Sequence, residues 1–320
     1  MKKLISVITA VTLMLLLVSC TPVYTQNSAD GEKLSIVTTI FPYYDFAKNI
    51  AGDKANVKML LSPGNEPHDY DPSPSDIVSI ENCDIFIYNG GESDAWVDGV
   101  LSSIENKDIK VLKMMDYVNL RYEEDIDHSH HDDSIDREHD HQDDLEYDEH
   151  IWTSIKNAET LSKSIFNAVV AADSKNTDYY SDNLNKYTTE LSVLDNKFKS
   201  VTDNAKRDTV VFGDRFPLLY FAKDYNLKYE AAFPGCSSET EPSIAVVTHL
   251  IDFVRDNNIP VVFYLDFSNG KTAKLISEDS DAKTLKFSSC HNVTKEQFAD
   301  GTSYISLMEQ NLSALKEALS

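Results

Sequence analysis

From Tyr179 to Val201 apolar side chains return every three or four residues, at Tyr180, Leu184, Tyr187, Leu191, Leu194 and Phe198, the period of one buried helical face. At about 1.5 Å per residue such a helix crosses a whole lobe and acts as a stiff connector, not a flexible linker. A second amphipathic helix precedes it, with Ile155, Ala158, Leu161, Ile165, Ala168 and Val169 on one face, and Asp173-Ser174 separates the two. Whatever fold the chain adopts must be arranged on either side of this pair.

On both sides strands alternate with helices. Before the pair, LSIVTTI at 34–40, VKMLL at 57–61, the apolar part of CDIFIYNGG and KVLKM read as strands. Helices start near Tyr44, at Ser75-Asp76 and in AWVDGVLSSI. After the pair the strands are DTVVFG, LKYEAAF, PVVFYLDF and KTLKF; helices fall in FPLLYFAKDYN, SSETEPSIAVVTHLIDFVRDNN, NGKTAKLISEDS and the closing TSYISLMEQNLSALKEALS. This pattern predicts an α/β fold: two lobes, each with a mostly parallel sheet flanked by helices, joined by a long connector helix. The expected limits are 34–172 for the first lobe, 173–206 for the connector and 207–320 for the second lobe. Ligands of such sheets collect at the carboxyl ends of strands, so a cleft between the lobes is the expected site.

One stretch inside the first lobe departs from the pattern. Residues 123–149 carry fourteen Asp and Glu against one Arg, about half of the formal charge of −24, and Glu123 to Trp152 holds six of the nine histidines. It has too few apolar residues to collapse and reads as a self-repelling loop. Dense imidazole and carboxylate make a weak, multi-site trap for transition metals, with imidazole favouring zinc, copper and nickel. The bland alternative is a solvated acidic linker.

The chain begins MKKLISVITAVTLMLLLVSC. Two lysines and a short apolar run read as a secretory signal over 1–19, and Leu17 to Cys20 resembles a bacterial lipobox. Cys20 would then carry lipid, residues 20–33 would be a tether, and the protein would sit on the extracytoplasmic face of the cell membrane. Without residues 1–19 the chain has 27 basic against 53 acidic residues. That balance opposes nucleic acid as a partner and suits a cation. Of the other cysteines, Cys83 reads as a small buried hydrophobe, and Cys236 with Cys290 as the pair available for a disulfide.

The loop SPGNEPHDYDPSPSD follows the second strand, and its prolines hold His68 at a preset position, as a metal ligand requires. His150, in DEHIW, stands where the acidic run returns to apolar sequence. Together GNEPHDYDPSPSD, DEHIWTSIKNA and the His-rich loop before it resemble the solute receptors of bacterial ABC importers for zinc and manganese, the zinc branch in particular. The resemblance runs from about Leu34 to Leu319 and implies a monomeric receptor with no catalytic residues, which captures Zn2+, or alternatively Mn2+, and delivers it to a membrane permease. It implies His68 and His150 as the first two metal ligands.

The later ligand positions depart from the family's pattern. In VVFGDRFPLLYFAKDY, counting from the strand puts Asp214 at the third ligand, whereas counting back from Tyr220-Phe221 puts Arg215 there. Arginine does not ligate a cation, so Asp214 is the expected donor. For the fourth, Asp266 matches one carboxylate position, Ser288 falls near another, and His291 in SSCHNVT is chemically better. His291 and Cys290 are neighbours, so in extended chain only one of them faces the cleft. His249, beside Leu250 within a helix, reads as structural. A metal-dependent hydrolase is disfavoured, since the chain has neither H-E-x-x-H nor G-x-S-x-G. A cell-surface adhesin leaves the His motifs unexplained.

Overall fold

Both expected alternations form, and they build the same sheet twice. A computed structural model describes residues 33–68, 70–123, 146–235 and 241–320. The expected signal segment, Cys20 and most of its tether, Cys236, and residues 124–145 of the His-rich run lie outside the described residues. The first half comprises β1 (Leu34–Thr38), α1 (Phe41–Ala51), β2 (Ala55–Met59), α2 (Pro74–Glu81), β3 (Ile85–Tyr88), α3 (Trp96–Ser103) and β4 (Lys110–Lys113). Then come α4 (Ile155–Ala172) and α5 (Thr177–Asp203). The second half comprises β5 (Thr209–Phe216), α6 (Leu219–Asp224), β6 (Lys228–Pro234), α7 (Ile244–Asp256), β7 (Val261–Leu265), α8 (Lys271–Ser280), β8 (Lys283–Phe287), α9 (Lys295–Ala299) and α10 (Tyr304–Ala318). The strand orders, β2-β1-β3-β4 and β6-β5-β7-β8, are the same. All pairings of these strands are parallel.

Local sequence explains the elements. All four residues of β3, IFIY, are buried, as expected for a central strand covered by helices on both faces. Ser73 and Asp76 form a reciprocal capping box at the start of α2, with Pro74 in its first turn. Ser154 Oγ caps α4 by accepting from Asn157 N at 3.1 Å. Helix α5 spans 27 residues, about 40 Å. Its Tyr187, Leu191, Leu194 and Phe198 are buried in one apolar cluster that also contains Ile36, Ile85 and Ile87 of the first sheet and Phe212 and Phe263 of the second. The two halves therefore share an interior. Tyr187 Oη also donates to Asp45 Oδ2 at 3.0 Å, and burial raises the Asp45 carboxyl to about 6.

Three features differ from expectation. Strand β5 continues past Gly213 to Phe216, because the register shifts between Phe212 and Arg215 and resumes with Arg215 opposite Phe233. Gly213 is needed there: a Cβ would overlap the backbone of Ala273 on α8. The acidic run ends before 148, since Asp148 and Glu149 are buried with hydrogen-bond partners. Helix α9 was not anticipated; Thr294 and Gln297 form its capping box.

Phe198 is fully buried, its ring centroid 5.1 Å from that of Phe221 and 5.3 Å from that of Tyr225. Phe198→Ala should cost about 3–5 kcal/mol. The expected readout is a lower urea midpoint with an unchanged slope.

Candidate metal centre

His68 is set by a loop tied to the opposite half. After β2, Leu60 N and Leu61 N continue alongside β1 by donating to Thr38 O at 2.8 Å and Thr39 O at 3.0 Å. Asn292 Nδ2 then donates to Ser62 O at 2.9 Å and to Asn65 O at 2.8 Å, and Gly64 N donates to Val293 O at 2.8 Å. Pro67 is buried and His68 stands exposed beside it. His68 Nδ1 lies 2.8 Å from Ser93 Oγ. Ser93 is itself placed by Glu149 Oε1, which accepts from Ser93 N at 3.0 Å and also from Glu92 N. This approach requires glycine at 91, whose φ is +78° and whose Cβ would collide with the Glu149 carboxylate.

His150 is buried at the carboxyl end of the first sheet. Asp148 Oδ1 accepts from His150 N at 2.8 Å and lies 3.3 Å from His150 Nδ1. A carboxylate only accepts, so Nδ1 carries the proton and Nε2 the lone pair. Tyr220 Oη donates to Asp148 O at 2.9 Å and Asn89 Nδ2 to Glu149 O at 2.9 Å, which pins this segment to both halves.

His291 follows β8. Cys290 adopts φ +61°, so the chain turns there: Cys290 is a buried free thiol in the apolar core. His291 faces the other way, with Nδ1 hydrogen-bonded to Ser289 Oγ. Its backbone carbonyl accepts from Phe41 N at 3.2 Å. Its Nε2 is buried without a hydrogen-bond partner. Burial, reinforced by His150, His68 and Arg215, pushes the imidazole down to about 3, which keeps it neutral.

The three histidines line one cavity of about 370 Å³, together with Glu66 and Arg215. The ring centroids of His68 and His150 are 5.9 Å apart. Two imidazoles bound through Nε2 to one tetrahedral zinc have centroids about 5 Å apart, close to the separation of these two rings. Among the described residues, no three His, Cys, Asp or Glu side chains already converge as a complete cluster.

The expected carboxylates are not brought to this cavity. Asp214 is buried, with Oδ1 accepting from Arg215 N at 2.9 Å and Oδ2 from Leu265 N at 3.3 Å. The bulge in β5 gives the cavity-lining position to Arg215, so counting back from Tyr220-Phe221 matches the geometry. Asp266 does not line the cavity either; burial raises its carboxyl, against hydrogen bonding from Ser288. His249, on α7, lies 3.1 Å from Glu230 Oε2. Glu66 was missed as a cavity residue, although its place two residues before His68 in extended chain puts both on one side.

A family model described as zinc-uptake complex component A, periplasmic, matches residues 36–318. The chain belongs to this family. It is 31% identical over 307 residues to the high-affinity zinc uptake system protein ZnuA of Bacillus subtilis, covering 95% of this chain and 94% of that one. It is 33% identical over 320 residues to the zinc-binding lipoprotein AdcA of Streptococcus pneumoniae, of whose length the match spans 61%. Among solved structures, the Zn(II)-bound ZnuA-like domain of S. pneumoniae AdcA superposes with a TM-score of 0.73 at 30% identity, covering 90% of this chain and 99% of that domain.

His291 generates a prediction for the metal-free protein. The unfolded chain protonates His291 near 6.5, whereas the folded chain waits until about 3. The unfolded state therefore binds the extra proton in between, and its share of stability is lost as pH falls below about 6.5. Buried Asp94, raised to about 7, and Asp45, raised to about 6, act in the opposite sense. The difference between parent and His291→Gln isolates the histidine. Between about pH 7 and pH 5 the parent should lose more urea resistance than the variant; equal losses would contradict the assignment.

Proposed function

We propose that this protein is the extracytoplasmic zinc receptor of an ABC importer, capturing Zn2+ in the cavity between the two sheets and delivering it to a membrane permease. One observation carries the reading: His68, His150 and His291 meet in one cavity, and each has Nδ1 against a fixed oxygen, from Ser93, Asp148 and Ser289. With Nδ1 donating to these oxygens, Nε2 is the metal-binding nitrogen, and the ring is held before the ion arrives. Three imidazoles favour zinc over manganese. A histidine kept neutral by burial binds metal without first releasing a proton. The zinc named in the B. subtilis and S. pneumoniae relatives agrees with this donor set.

In this reading binding, not catalysis, is the activity, and the receptor works as a monomer. Residues 34–172 and 207–320 are its lobes, with 173–206 as connector. Their shared interior favours capture by small movements of the loops bearing His68 and His291 over a wide hinge. Lipid on Cys20 would keep the receptor at the membrane beside its permease; the S. pneumoniae relative is itself named a lipoprotein. Among the described residues no helix is long and apolar enough to cross a membrane.

Competition with a chromophoric chelator should reveal one tight zinc site per chain. His68→Ala and His150→Ala should each weaken it by at least about 100-fold, and affinity should fall as pH drops through about 6.5. A parent protein with only weak, multi-site uptake contradicts the receptor reading. Deleting residues 124–145, while keeping the buried Asp148 and Glu149, should remove weak sites and alter zinc transfer yet spare the tight one. Loss of tight binding in that variant would refute an accessory role for the run.

A further inference from the structure

The cavity holds a cation and an anion that the three-histidine description does not use. Glu66 Oε2 lies 3.4 Å from His291 Nε2 and 3.9 Å from Arg215 Nη2. Glu66 comes from the loop after β2, in the first half; Arg215, on β5, and His291 come from the second. Two donors on one tetrahedral zinc, at bond lengths of about 2.0–2.2 Å, stand about 3.3–3.5 Å apart. Glu66 Oε2 and His291 Nε2 are therefore already at the spacing of neighbouring ligands. Hydrogen bonding does not explain the approach, because His291 Nε2 has no hydrogen-bond partner.

The same oxygen faces the guanidinium. A fixed positive charge in a zinc cavity opposes the ion directly, and it also attracts the carboxylate that would bind that ion. Glu66 and Arg215 each keep 28% of their side-chain surface exposed, so the contact is neither sealed from water nor held by burial. At 3.9 Å the pair is also longer than a direct charged hydrogen bond.

The geometry points to Glu66 as the oxygen donor that completes the zinc site with His68, His150 and His291, and to Arg215 as an electrostatic latch that competes with the metal for that carboxylate. Without metal, Glu66 is drawn to Arg215 across the cavity. With metal, its oxygen joins His291 Nε2 on the ion, and the neighbouring guanidinium keeps affinity below what the four donors alone would give. Arg215 thus favours release, which a receptor that passes its cargo onward requires. This inference rests on the zinc-receptor reading and goes beyond it.

The test uses the full chain, with zinc affinity read by chelator competition and donor geometry by the visible absorption of bound Co2+. Glu66→Gln should weaken zinc about 10- to 100-fold and shift the Co2+ bands. Arg215→Met should tighten zinc about tenfold, slow its release, and leave the Co2+ bands tetrahedral. A Glu66→Gln protein with parental affinity and spectrum overturns the donor assignment, and an Arg215→Met protein that binds more weakly overturns the latch. Should Glu66→Gln not fold, as judged by circular dichroism, Glu66→Asp gives the same reading, an altered spectrum supporting the donor role and an unaltered one opposing it. Failure of the receptor reading looks different: the parent then has no stoichiometric zinc site, and His68→Ala and His150→Ala change nothing.

Discussion

Asn292 donates its amide hydrogens to two carbonyls of the loop that carries His68, and so joins the segment after β8 to the segment after β2. The residue is almost wholly buried, where breaking these bonds would leave polar groups unsatisfied at a cost of about 1–3 kcal/mol each. The backbone beside His291 is therefore tied to the loop that carries Glu66 and His68. The same junction is closed from another side by Trp152 Nε1, which donates to Ser289 O at 2.8 Å, and by Tyr304 Oη, which donates to Trp152 O at 2.7 Å. The cavity that holds the three histidines is thus a seam between two halves that are already bonded together.

This construction explains why the histidines need so few residues of their own. Each ring is oriented by one short-range oxygen, and each of those oxygens belongs to a segment held for structural reasons. Ser93 follows from the turn that Glu149 caps, Asp148 is held by Tyr220, and Ser289 lies on the strand exit bound by Asn311. The placing of these rings comes from their supports, the arrangement that metal sites commonly use. Gly91 belongs to the same chain of dependence, because only a residue without a side chain lets Glu149 reach that turn.

Much of this was legible in residue order. Alternating apolar runs disclosed two parallel sheets, and the spacing from Tyr180 to Phe198 disclosed the helix that binds them. The sequence singles out His68 by its flanking prolines and His150 by the return from acidic to apolar residues. His291 stands out only as the better donor among several candidates after a late strand, and the structure brings all three to one cavity. What failed to read was local and physical. A bulge shifts side-chain direction by one residue without changing composition, so Arg215 and not Asp214 lines the cavity. Asp148 and Glu149 look like the end of a charged run, yet inside the fold the backbone N–H of His150 satisfies Asp148 and those of a distant turn, at Glu92 and Ser93, satisfy Glu149. Partners brought together only by tertiary structure, such as Glu66 with His291, leave no mark on spacing.

The repeated strand order has a further consequence for how such a molecule behaves in a crowd. Each sheet ends in open edges, at β2 and β4 in one and at β6 and β8 in the other. All four of these strands carry lysine, at Lys58, Lys110, Lys113, Lys228, Lys283 and Lys286, whereas β1, β3, β5 and β7 carry none. Positive charge on an edge strand discourages its exposed amides and carbonyls from zipping onto a neighbouring sheet. In a chain with so large an acidic excess, six of the 24 lysines stand on the strands along which two copies could otherwise polymerise.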